Sequence, residues 1–155
     1  MPNWEELRTG VYEIDGSWRD IYVLQTTRED WQHWIWYVNR HYPVRWEAED
    51  HLDGQELDAI DAAYIARRWD AGGEALVQWA NVFVENIRLN CHFFTATQIE
   101  NDFDPSAIRS MEDHHRLMGY LVAISTALQK EVIVTSENCP EWPYIRVNGS
   151  DIQFE

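Results

Sequence analysis

The run Ala75 to Phe94, ALVQWANVFVENIRLNCHFF, constrains the fold more than any other part of the chain. It is dense in Val, Phe, Ile and Trp, and Glu85-Asn86 divides it into two β-prone stretches of about eight residues, so it reads as two strands joined by a tight turn. QIENDF, Gln98 to Phe103, follows as a third strand. Strands joined by short turns pair antiparallel. EVIVT, and YIRVNGSDIQF with a turn at Asn148-Gly149, close the chain in the same manner. Near the start, Asp15-Gly16-Ser17 separates Val11–Ile14 from Trp18–Leu24 and predicts another hairpin, while VRWEAE alternates as a half-buried strand.

Three segments carry the 3.6-residue period instead. In TTREDWQHWIWYVNRHY, Thr27 and Asp30 form an acidic capping box, Pro43 bars helix beyond Tyr42, and Trp31, Trp34, Ile35 and Val38 fall on one face. Trp36 falls off that face. In DGQELDAIDAAYIARRWDAGG, Asp53 is the expected N-cap, Leu57, Ile60 and Tyr64 the stripe, and Gly72-Gly73 the stop. Asp104-Pro105 opens a helical turn through Ile108, and Ser110 with Asp113 caps a long C-terminal helix near 110–130 with Leu117, Leu121, Ile124 and Leu128 inward. The expected fold is therefore α+β, a largely antiparallel sheet packed by two or three helices. With 155 residues and no repeat or linker, residues 1–155 read as a single domain.

Charge limits function more than length does. The 27 acidic residues outnumber 12 basic ones, for a net charge of −15, which disfavours nucleic acid and anionic membranes and attracts a basic protein partner. A solubilising surface is the plainer account of the same acids. No apolar stretch reaches membrane-spanning length and no secretory pattern opens the sequence, so a cytoplasmic location is expected. Two cysteines, Cys91 and Cys139, fit neither a disulfide scaffold nor a cysteine zinc site.

Candidate chemistry is confined to a few places. Glu100, Asp102 and Asp104 alternate on the third strand and, with His92, His114 or His115, could bind a divalent cation, the only cofactor the sequence suggests. A solvated strand face ending in a cap is the plainer account of the carboxylates, and adjacent helical histidines diverge by about 100°, unlike the i, i+4 pair of a zinc helix. Nucleophile elbows and phosphate loops are missing from the sequence. Of nine tryptophans, Trp18, Trp36 and Trp142 are least committed to a core and could stack on sugars or on a protein, and Glu49, Asp50 and Asp53 could meet a basic surface.

DGSWRDIYVL, NCHFF with IENDFDP, and KEVIVTSEN with PEWPYI occur in this order. In them the chain resembles small uncharacterised bacterial single-domain proteins of an immunity-like kind. The resemblance implies a cytoplasmic bacterial domain and allows an inhibitor whose acidic surface blocks a basic toxin or enzyme. The leading expectation is thus a non-enzymatic acidic protein-binding domain. The alternatives are a metal-dependent enzyme using the carboxylate and histidine cluster, and a carbohydrate-binding module using exposed Trp.

Overall fold

The computed structural model describes residues 1–47, 56–72 and 79–155. Its eight strands form one antiparallel sheet of order β2-β3-β4-β5-β1-β6-β7-β8. They are β1 (Arg19–Leu24), β2 (Val44–Glu47), β3 (Trp79–Val84), β4 (Ile87–His92), β5 (Gln98–Phe103), β6 (Val132–Ser136), β7 (Pro143–Asn148) and β8 (Asp151–Phe154). Among the described residues four helices accompany them, α1 (Trp4–Gly10), α2 (Arg28–His41), α3 (Ala62–Asp70) and α4 (Met111–Leu128), with one 3-10 turn at Pro105–Ala107. The architecture is α+β, and the long helix lies where Ser110 and Asp113 place it: Ser110 accepts a bond from the Asp113 amide at 3.2 Å. Among the described residues no helix is long and apolar enough to cross a membrane.

Alternation sorts the strands onto two faces. On β5, Ile99, Asn101 and Phe103 are buried while Gln98, Glu100 and Asp102 are only half-buried, and β4 repeats the pattern with Ile87, Leu89 and Cys91 inside. The described helices pack on the buried face: Trp31, Trp34, Ile35 and Val38 of α2 meet Leu117, Tyr120, Leu121 and Ile124 of α4 in the core. The indole N–H of Trp34 donates to Tyr120 Oη at 3.1 Å, and Tyr120 donates to Asn101 Oδ1 at 2.6 Å. This relay ties α2, α4 and β5 together through groups with no access to water. Tyr120→Phe is therefore expected to cost about 2–3 kcal/mol, because it strands both the Trp34 donor and the Asn101 acceptor; urea unfolding measures it.

Three expectations are corrected. Val11–Ile14 is not a strand: Asn3 caps α1 in a box with Glu6, and the amides of Val11 and Tyr12 both donate to Leu7 O, so β1 pairs instead with β5 and β6. The second helix begins at Ala62 with Asp61 as its cap; Leu57 bridges Trp46, and Asn39 binds both the N–H and the C=O of Ile60, which holds the backbone there out of the helix. The expected cap Asp53 lies outside the described residues, as do Glu49 and Asp50. Finally, the last hairpin turns at Gly149-Ser150, because Asn148 already pairs with Asp151.

Candidate interaction site on the open sheet face

The sheet face opposite the helices carries two rows of side chains that cross the central strands. In one, Trp79 lies opposite His92, His92 opposite Glu100, and Glu100 opposite Tyr22. In the other, Asn81, Asn90, Asp102 and Asp20 follow one another from β3 to β1. Neighbours on the same face of paired strands are close enough to bond. Asn81 Nδ2 donates to Asn90 Oδ1 at 2.9 Å, and Asn90 Nδ2 donates to Asp102 Oδ1 at 2.7 Å. Asp102 Oδ2 lies 2.7 Å from His92 Nε2. Every partner in this ladder is set by register alone.

Asp20 closes the row beneath the turn after β6. It is 2% exposed and accepts from Tyr22 Oη at 2.9 Å and from the Asn138 amide at 2.7 Å. Burial nevertheless raises its pKa above the ordinary carboxylate value, since the two bonds only partly offset the desolvation and Asp102 and Glu137 repel its charge. Burial also raises Glu100, helped by repulsion from Asp20. At His92 burial opposes the charge, but the bond to Asp102 and the fields of Asp102, Glu100 and Asp20 outweigh it, so the imidazole is raised as well. No arginine or lysine lies within 4.0 Å of Asp20, Glu100 or Asp102 among the described residues. The row is a negative strip whose near counter-charge among the described residues is His92.

Apolar surface flanks this strip. Phe94 lies parallel to the His92 ring, 5.1 Å away at 3°, and is 58% exposed, while Trp79 at the far end of its row is 38% exposed.

The remaining candidates are dispersed. Asp104 has left the β5 face: it caps the 3-10 turn by accepting from the Ser106 amide at 2.9 Å. His114 is sealed on the helix side of the sheet, its Nδ1 2.6 Å from Tyr12 Oη, and His115 is exposed. Among the described residues, no three His, Cys, Asp or Glu side chains converge as a cation-ligand set. Cys91 is buried on the helix side of the sheet and its thiol is pushed up by desolvation, so it gives His92 no nucleophile. Trp36 is covered in part by the Arg40 guanidinium 4.7 Å above its ring, Trp142 projects from the turn after β6 at 72% exposure, and Trp18 lines cavities at the end of the sheet. These three share no ring contact among the described residues, so they form no common platform.

Sequence reasoning found Glu100, Asp102 and His92 but missed Asp20, Tyr22 and Trp79. The available signal was alternation in RDIYVL, which puts Asp20 and Tyr22 on one face; that this face adjoins β5 depends on strand order. Comparisons with protein-family models, with curated proteins and with solved structures found no match.

Proposed function

We propose that this chain is a non-enzymatic binding protein, immunity-like in character, that recognises a basic protein partner through the open face of its sheet. The observation that carries the reading is the pair of half-buried carboxylates Glu100 and Asp102, backed by the buried Asp20, which no arginine or lysine of the described chain neutralises and which exposed Phe94 and Trp79 flank. A partner cation seated there relieves repulsion that the folded chain otherwise bears alone, and the aromatics supply apolar area beside it. The net charge of −15 favours the encounter with such a partner from a distance.

The test is affinity capture at low ionic strength followed by titration of the captured partner. Glu100→Gln is expected to weaken binding about ten-fold and Glu100→Lys more, with association slowing as salt rises. Both variants should fold, because Glu100 makes no hydrogen bond that holds two elements together. A partner without a basic surface, or one bound equally well by Glu100→Lys, sinks the proposal.

A further inference from the structure

A second feature lies at the end of the sheet where β1 begins, β5 ends and β3 turns into β4. A cavity of about 290 Å³ is lined there by Trp18, Asn86, Arg88, Asp104, Ser106 and Arg109. Two further cavities, of about 410 and 200 Å³, abut it around the same 3-10 turn: the first shares Ser106 and Arg109, the second Trp18, Asp104 and Ser106. The three lie side by side around Ser106.

Its two arginines hold no acid among the described residues, although the chain is rich in them. Acids outnumber bases by 27 to 12, and Arg28, Arg45, Arg116 and Arg146 each hold a carboxylate at 2.7–3.0 Å. Arg88 and Arg109 hold none within 4.0 Å among the described residues. Arg109 is nonetheless positioned: its Nε donates to Ser106 O at 3.3 Å and its backbone amide donates to Asp113 Oδ2 at 3.0 Å, which leaves both Nη nitrogens unused. The Arg88 side chain makes no hydrogen bond to any described residue. Two guanidinium groups therefore border one cavity with most of their donors unspent, beside a Trp18 indole that is 37% exposed.

We infer that this cavity binds a small carboxylate carried on a flat ring. Guanidinium forks match the two oxygens of a carboxylate, and the indole offers a face to a ring. Asp104 lines the same cavity and adds an acceptor, which suits a ligand with a hydroxyl or ammonium group as well. The field of the whole chain opposes polyanions, so a single carboxylate in direct contact is favoured over a phosphorylated or polymeric ligand. The volume is at the lower end of small-molecule sites, which fits one ring and its substituents. This inference is independent of the open-face reading, and it gives Trp18 a role separate from the partner surface.

Calorimetric titration of the intact chain with para-hydroxybenzoate, phenylalanine and inorganic phosphate tests it, together with the Trp18 indole N–H signal in NMR spectra. Saturable binding of at least one aromatic carboxylate is expected, with that signal shifting. Arg88→Gln and Arg109→Gln should each weaken it about ten-fold or more, and Arg146→Gln, at a distant strand, should leave it unchanged. Arg88 and Arg109 are both exposed, so an unchanged melting temperature shows that the variants are folded. Phosphate binding without carboxylate binding, no saturable binding by any probe, or equal binding by both variants overturns the inference.

Discussion

Replacing Trp34 by alanine is expected to lower the unfolding free energy by about 4 kcal/mol, while the same replacement two positions on, at Trp36, costs less than about 1 kcal/mol. Trp34 is fully buried and its ring stands edge-on to Trp31, 5.5 Å between centroids. Truncation opens a cavity between α2 and α4 that neighbouring rings cannot fill, and it also removes the donor to Tyr120 Oη. Trp36 is 58% exposed, so its loss removes only surface contact and the cation–π interaction with Arg40. Denaturant midpoints of the two variants supply the comparison, and Trp34→Phe should fall between them because it keeps much of the volume and loses the N–H. If Trp36→Ala were as damaging as Trp34→Ala, the assignment of the helix faces would be wrong.

The contrast between those two tryptophans was legible in the sequence because it depends only on helical period and a cap. The Thr27–Asp30 box forms in both directions, and the four residues expected to be inward are the four that are buried. Local grammar also placed the β3–β4 turn, β5, the Asp104-Pro105 turn and α4. It failed where tertiary contacts overrode it: Asn39 holds Ile60 outside the helix, and the helix that buries Leu7 receives Val11 and Tyr12 as its C-terminal continuation rather than as a strand. The Asn3–Glu6 capping box was the available signal for α1, masked by the β-prone residues behind it.

The candidate site divides along the same line. Alternation alone put Glu100 and Asp102 on one strand face, but it also added Asp104, which the chain turns away to cap Ser106. Asp20 lies 82 positions before Asp102 and became its neighbour only through the pairing of β1 with β5. The strip is thus a product of strand order, and strand order follows from how helices connect and cover the sheet rather than from any local pattern.

Acid should destabilise the fold through His114, and the expected loss between pH 7 and pH 5 from this one group is about 2 kcal/mol. Its imidazole is buried beside Tyr12 and Phe154, its Nε2 meets no hydrogen-bond partner among the described residues, and its neighbour His115 adds like charge. Burial, and secondarily His115, lower it from the ordinary 6.5 to about 4. Above 6.5 both folded and unfolded chains keep the ring neutral, and stability is unaffected. Between 6.5 and 4 the unfolded chain takes up a proton that the folded chain refuses, so stability falls as pH falls. The raised carboxylates Asp20 and Glu100 act in the opposite sense, since the folded chain binds their protons more readily, and His92 likewise favours the folded chain while protonated. Wild type therefore reports a sum, and the His114 contribution is isolated by difference. His114→Asn places an amide group where Nδ1 pairs with Tyr12 Oη, in either direction of that bond, and removes the titration, so its urea-derived stability should lose about 2 kcal/mol less than wild type over that interval. An identical pH slope in the two proteins would mean that the ring is solvated or charged in the fold, contrary to its placement between Tyr12 and Phe154.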